Sequence, residues 1–326
     1  MEQAYEYEVS ICCLAFNHEP YIRKALDSFL MQKTDFKFEV VIHDDHSTDQ
    51  TAAIIREYEE RYPAIIHPLY QAENQYSQGI RNISGAFNFP RAQGKYIAMC
   101  EGDDFWCDDH KLKLQVDYME AHPDCMLCFH AAGIESEDQA LRSRRIRPYV
   151  GDRICTEEDV IDKKANYPTA SLLFRTASVK HLPKYYEECP VGDIPLQIYL
   201  VDQGYAYYMD RRMSVYRQGV AVSWSEQMEQ GNYEQKLTDH HRKMKEMFTA
   251  FDRETYGRYH EAVESAMQRM DFLTQLNVRH YRQARQPQYR RYYLELPLRT
   301  RMLIDLELYC PAMYRLLQKA WYGLHR

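Results

Sequence analysis

The sequence predicts an α/β protein: a mostly parallel sheet with helices on both faces, followed by a C-terminal helical extension. Three observations predict it. Apolar runs of strand length alternate with amphipathic stretches of helix length over the first 135 residues. Two of those runs end in acids, His43-Asp44-Asp45 and Glu101-Gly102-Asp103-Asp104. From about Asn232 onward the pattern is helical, with breaks at Pro287, Pro297 and Pro311.

EVSICCLAF is a continuous apolar run and reads as the first strand. In NHEPYIRKALDSFLMQ, Pro20 suits a first helical turn, and Ile22, Ala25, Leu26, Phe29 and Leu30 fall on one face. FKFEVVIHDD is a second strand. STDQTAAIIREYEERYP is a second helix, with Ser47 and Gln50 in capping-box spacing and Pro63 as its stop. AIIHPLY is a short third strand, GIRNISGAFNFPRAQ a helix, and GKYIAMC a fourth strand. The helix DDHKLKLQVDYMEAHP follows, with Asp108 and Asp109 as capping acids and Leu112, Val116 and Met119 on one face. CMLCFHAAGI is a fifth strand. After Arg142 the chain turns polar and loop-rich; ASLLFRTASV reads as a further strand, and Asp193 stands just before the helix-like run IPLQIYLV.

Composition narrows the class. Of 326 residues, 45% are hydrophobic and 27% charged, which suits a globular chain that buries a core. A net charge of −7 argues against a general nucleic-acid binder. The charge is uneven: residues 276–326 hold ten Arg or Lys against three acids, a local +7, which leaves −14 on the rest. That basic, tyrosine-rich tail reads as a helical packing face, with peripheral binding to an anionic membrane as the functional alternative. The nine cysteines lack framework spacing, and the start MEQAYEYEVS lacks a leader pattern, so reduced thiols in the cytoplasm are expected. Cys125 and Cys128 read as buried thiols rather than half a zinc site, and His130 as a core histidine.

In sheets of this kind ligands bind outside the carboxyl ends of the strands. Leu14-Ala15-Phe16-Asn17 ends the first strand, so three strand ends meet along one edge. Neither G-x-G-x-x-G nor G-x-x-x-x-G-K-[ST] occurs, which disfavours dinucleotide enzymes and P-loop ATPases. Glu101, Asp103, Asp104, Asp108 and Asp109 place five carboxylates within nine positions. Like charges this close raise one another's pKa, so something positive should offset them. Mg²⁺ or Mn²⁺ on Asp103 and Asp104 suits that need and leaves positions for the phosphates of a nucleoside diphosphate. Asp45 suits a hydrogen bond from a base N–H.

The set VSICCLAFNHEPYI, VVIHDDHSTDQT, GKYIAMCEGDDFW and VGDIPLQ resembles the family 2 glycosyltransferases of GT-A fold, of the bacterial surface-polysaccharide type. Four spaced motifs in the right order cover about two-thirds of the chain. The resemblance implies a GT-A domain over residues 1–228, with a nucleotide-binding half at 1–135 and an acceptor half at 136–228, and a helical region at 229–326. It implies that Ala15, Phe16 and Asn17 line the nucleoside and that Asp45 reads the base, by analogy uracil. Arg81 would lie near the diphosphate. Glu101 takes the first place of the D-x-D pattern, Asp103 would face ribose and metal, and Asp104 the metal. Asp193 would be the general base of an inverting transfer from a nucleotide sugar to a glycan or lipid-linked acceptor. One departure stands out: relatives usually carry a His after V-Y-R, where this chain has Gln218 and Gly219. The alternative reading is a nucleotide-sugar-binding protein with weak or no catalysis. The resemblance places the protein in the cytoplasm or at the inner face of a membrane, and homo-oligomers are compatible with it.

Overall fold

The computed structural model describes residues 5–136, 144–163, 167–221 and 223–315. Lys319, Trp321 and Arg326 of the basic tail, and Val222 after the V-Y-R motif, lie outside the described residues. The chain forms two compact units that part after Gly231.

The first unit is built on ten strands: β1 (Tyr7–Ala15), β2 (Phe38–Asp44), β3 (Ile66–Tyr70), β4 (Gly94–Met99), β5 (Phe105–Trp106), β6 (Cys125–Glu135), β7 (Arg145–Ile146), β8 (Arg153–Cys155), β9 (Leu173–Arg175) and β10 (Tyr205–Arg217). Their order is β3-β2-β1-β4-β9-β6-β10-β5, with β7 on β6 and β8 on β10. The pairs β2–β3, β1–β2 and β1–β4 are parallel, as the strand–helix alternation requires. Helices α1 (Ile22–Leu30), α2 (Thr51–Arg61) and α3 (Lys111–Ala121) supply the connections. On β1, Val9, Ile11, Cys13 and Ala15 are fully buried, and they share a core with Ile22, Leu26 and Phe29 of α1 and with Val40 and Ile42 of β2. This explains the unbroken apolar runs: the central strands are covered on both faces.

Beyond β4 the sheet becomes mixed. The chain leaves β6 at the acidic edge and re-enters from that edge through a 3₁₀ turn at Thr169–Ser171. Strand β9 therefore runs antiparallel to both β4 and β6, while the 13-residue β10 returns parallel to β6. The length of β10 is not evident from the sequence, because its polar residues interrupt the apolar run.

Two local expectations are corrected. GIRNISGAFNFPRAQ forms no regular helix but a wide turn at Ser84–Asn88 and a 3₁₀ turn at Phe89–Arg91. Pro90 has no N–H to continue a ladder. The Ser47–Gln50 capping box is not formed: Gln50 is the N-cap residue of α2, with no side-chain cap, and Ser47 Oγ accepts the Asn17 N–H at 2.9 Å.

The second unit holds the helices Tyr233–Glu254 and His260–Asn277, then the shorter helices Tyr281–Ala284, Arg290–Glu295 and Leu298–Tyr309. Asn232 caps the first by accepting the Gln235 N–H. Tyr256 and Gly257, both at positive φ, separate the two long helices. The expected break at Pro287 is a 3₁₀ turn, and Pro297 is the N-cap residue of the last helix. Phe272 of the second long helix packs with Ala284 and Tyr292 of the shorter ones. Among the described residues no helix is long and apolar enough to cross a membrane.

Candidate active site

The ends of β1 and β2 are joined. Ala15 is buried, and its carbonyl accepts the Asp45 N–H at 2.9 Å. Asn17 lies at φ 53°, and its Oδ1 accepts the Thr48 N–H at 2.8 Å. The N–H of buried His18 donates to Thr51 Oγ1 at 2.8 Å. Thr48 and Thr51, together with Ser47, thus fasten the end of β1 to the start of α2. Phe16 is half-buried at the same strand end.

Asp45 is buried, and its carboxylate accepts N–H bonds from Gln75 at 2.8 Å and Tyr76 at 3.1 Å, with His43 Nε2 at 3.3 Å. Burial pushes its pKa up, but the His43 imidazole and the two backbone donors outweigh burial and hold it below the usual carboxylate range. Asp45 therefore anchors the loop after β3. Arg81 is exposed; it donates to the Tyr76 carbonyl at 3.1 Å and lies 4.5 Å over the Tyr76 ring. Ala15, Asp45, the Gln75–Tyr76 turn and Arg81 make one connected wall.

The end of β4 carries the acids. The Gly102 N–H donates to the Leu14 carbonyl at 2.9 Å. A Cβ on Gly102 would come within 2.9 Å of His18 Nδ1 and Ile22 Cδ1, so only glycine lets this turn lie against the end of β1. Asp103 Oδ2 faces His18 Nε2 at 3.9 Å. Burial lowers the pKa of His18 despite the neighbouring Asp103, which keeps the imidazole neutral. Asp104 is buried, and its Oδ1 accepts the Arg217 N–H at 2.8 Å. Burial, then Asp103 and Glu101, push the Asp104 carboxyl well up. Glu101 is half-buried; burial, Asp103 and Asp193 push it up to about 8.

Arg217 fastens the turn that carries these acids. It lies buried at the end of β10 and donates through Nη1 to the Asp103 carbonyl at 2.5 Å and through Nε to Glu135 at 2.7 Å. Its guanidinium lies over the rings of Phe105 and Tyr21. Its place in V-Y-R was visible in the sequence; its role was not, because that needs the pairing of β10 with β6 and β5.

Asp193 is the first residue of the nine-residue helix Asp193–Val201 and is half-buried. Its charge reaches Glu101, Tyr186 and Lys163, which places it beside the acid cluster. Lys163 donates to Gln197, one turn along the same helix, at 3.1 Å. The buried Asn82 amide donates to the carbonyls of Tyr186 and Cys189 and so holds the segment before Asp193. Sequence reasoning missed both Lys163 and Asn82, since each acts on a partner far along the chain.

Asp108, Asp109 and His110 are, among the described residues, the group of three metal-type side chains whose ligand atoms lie within 4.8 Å of one another. They do not cap α3 by side chain; its N-cap residue is His110. Asp109 pairs with Lys33 at 2.5 Å and Asp108 with Arg211 at 2.6 Å, so their charge is already met. Among the described residues no Lys or Arg forms an ion pair with the carboxylates of Glu101, Asp103 or Asp104, and the buried His18 Nδ1 close by has no hydrogen-bond partner. A hard dication fits the second setting better than the first. Gln218 and Gly219 are exposed and bring no imidazole to the site. His130 is fully buried with Nδ1 at 2.9 Å from the Ala131 carbonyl, a core position, and Cys125 and Cys128 are buried thiols.

The sequence signature of Glycosyl transferase family 2 matches residues 10–182, and the chain belongs to that family. An uncharacterized protein of Mycobacterium tuberculosis is 34% identical over 66% of this chain and 60% of its own length. The chain therefore spans about 60% of the first curated relatives it matches. The putative teichuronic acid biosynthesis glycosyltransferase TuaG of Bacillus subtilis is 33% identical over 40% of this chain and 48% of its own. Among solved structures, Staphylococcus aureus TarS 1–349 with UDP-GlcNAc aligns over 90% of this chain and 77% of its own, with a TM-score of 0.55 and 18% identity. A Pyrobaculum calidifontis mannosyltransferase with GDP-Man and Mn²⁺ aligns over 98% and 87%, with a TM-score of 0.56 and 15% identity. These likenesses establish the GT-A fold.

Proposed function

We propose that the protein is an inverting glycosyltransferase. It moves a sugar from a nucleotide sugar, a UDP-sugar, to a glycan or lipid-linked acceptor of a surface polysaccharide, at the inner face of a membrane. The observation that carries this reading is the cluster of Glu101, Asp103 and Asp104 at the strand end, whose carboxylates no Lys or Arg pairs among the described residues, with Asp193 near Glu101. The teichuronic acid role in the name of TuaG supports the acceptor class.

In this reading Ala15, Phe16 and Asn17 line the nucleoside. Asp45 Oδ2 accepts one backbone N–H and keeps a lone pair for a base N–H. Arg81 attends the diphosphate. Asp103 and Asp104, with Glu101 beside them, would hold Mn²⁺ or Mg²⁺, which when bound supplies positive charge against the diphosphate leaving group. Asp193 takes the proton of the acceptor hydroxyl while that oxygen attacks the anomeric carbon opposite the leaving group.

The test is Asp193→Asn assayed for both transfer and UDP affinity with Mn²⁺. Transfer is expected to fall by roughly 10²–10⁴ with UDP affinity intact. Retained transfer removes Asp193 as the base. A wild-type protein that binds nucleotide sugars without turning any over is a binding protein instead.

A further inference from the structure

The helix Leu298–Tyr309 presents apolar residues to solvent. Leu298, Met302, Leu303 and Tyr309 are 65%, 63%, 41% and 68% exposed. Leu294 just before the helix and Met313 just after it are also exposed. The inner side is used differently: Ile304 is buried. Exposed apolar residues grouped on one helix in this way mark an interaction surface.

The charges around it are sorted. Arg279 pairs with Glu307, Arg285 with Asp305 and Arg291 with Glu295, so the acids nearest the patch are met. Arg282, Arg290, Arg299 and Arg315 are exposed and have no acidic partner among the described residues. Apolar residues at the centre with unmatched guanidiniums on the flanks are complementary to a lipid surface of negative headgroups.

We propose that this helix is an interfacial element that docks on anionic lipid, with Leu298, Met302 and Tyr309 entering the headgroup–acyl boundary and Arg290, Arg299 and Arg315 meeting headgroup phosphates. The proposal extends the inner-face placement above by naming the surface that achieves it. A vesicle assay reads it without sugar transfer, so the two readings fail separately.

The experiment is co-sedimentation of the full chain with vesicles of phosphatidylglycerol and phosphatidylcholine, and of phosphatidylcholine alone, at low and high salt. The full chain is expected to sediment with the anionic vesicles at low salt only. Leu298→Asp with Met302→Asp, and separately Arg290→Gln with Arg299→Gln, should each weaken partitioning by at least about tenfold. Both pairs are exposed, so helicity by circular dichroism should match the parent and exclude misfolding. Failure of the full chain to bind anionic vesicles overturns the proposal, as does binding that neither double variant weakens. A lipid-free dimer that Leu298→Asp with Met302→Asp dissolves would assign the patch to a second copy and overturn the proposal as well.

Discussion

Two acid clusters stand a few residues apart in MCEGDDFWCDDH and have opposite physics. Asp108 and Asp109 lie near the surface beside Arg211 and Lys33, and the Lys33 ammonium holds the Asp109 carboxyl below its usual range. Glu101, Asp103 and Asp104 have, among the described residues, no Lys or Arg paired with their carboxylates, and burial holds Glu101 and Asp104 above their usual range. The sequence shows the same letters in both. The difference lies in the counter-charge, which distant elements supply. Acids already paired need nothing further; acids left unpaired in a dry wall are the ones suited to a cation or a charged substrate.

The sharpest test of this contrast is the pair Asp103→Asn and Asp109→Asn. Asp103→Asn is expected to lower transfer by roughly 10²–10³ and to abolish the Mn²⁺ dependence of UDP binding measured by calorimetry. Asp109→Asn should leave both within about twofold, the scale of a change at an exposed pair. Equal losses would erase the distinction between the clusters.

Arg217→Met tests the residue that fastens the inner cluster's turn. It removes the charge-assisted hydrogen bonds to the Glu135 carboxylate and the Asp103 carbonyl. A loss of roughly 2–3 kcal/mol, read as a lower urea midpoint at constant slope, is expected.

Protons should report the same contrast with opposite signs. Glu101 titrates at about 8 in the folded, metal-free protein against an ordinary 4.5. The folded state then binds more protons than the unfolded one between those values, so this residue makes stability fall as pH rises from 4.5 to 8. Asp109, held below its ordinary value, contributes stability above that value and loses it only in acid. Urea midpoints of the metal-free protein at pH 5 and pH 8 should therefore drop, and Glu101→Gln should flatten the drop. A slope unchanged by that substitution would show that Glu101 is ionised throughout.

The smallest effect belongs to Lys33→Gln, which breaks an exposed pair. Tm should move by no more than about 2 °C. A larger shift would show that the outer cluster depends on its cation.

Much of the fold was legible because its signals are local. The apolar runs of β1, β2, β4 and β6 need no partner to be recognised, and the acids at the ends of β2 and β4 mark the site edge by position. The misreadings share one cause. Ser47 has cap spacing yet bonds Asn17, thirty residues back. Asp108 and Asp109 precede a helix yet answer Arg211 and Lys33. Arg217, Asn82 and Lys163 look like ordinary polar residues until the sheet order brings their partners near. Long-range polar pairing leaves no period in a sequence.

Arg217 has a consequence for how the first unit opens. In register it stands opposite Glu135, its amide closes on Asp104, and its guanidinium closes on the Asp103 carbonyl. Three segments, the turn after β4, the end of β6 and the end of β10, thus share one residue. None of them can fray alone without releasing a buried charge, so the edge that carries the acids behaves as a single cooperative opening unit. Its amides should therefore exchange with solvent together, because one residue ties the three ends.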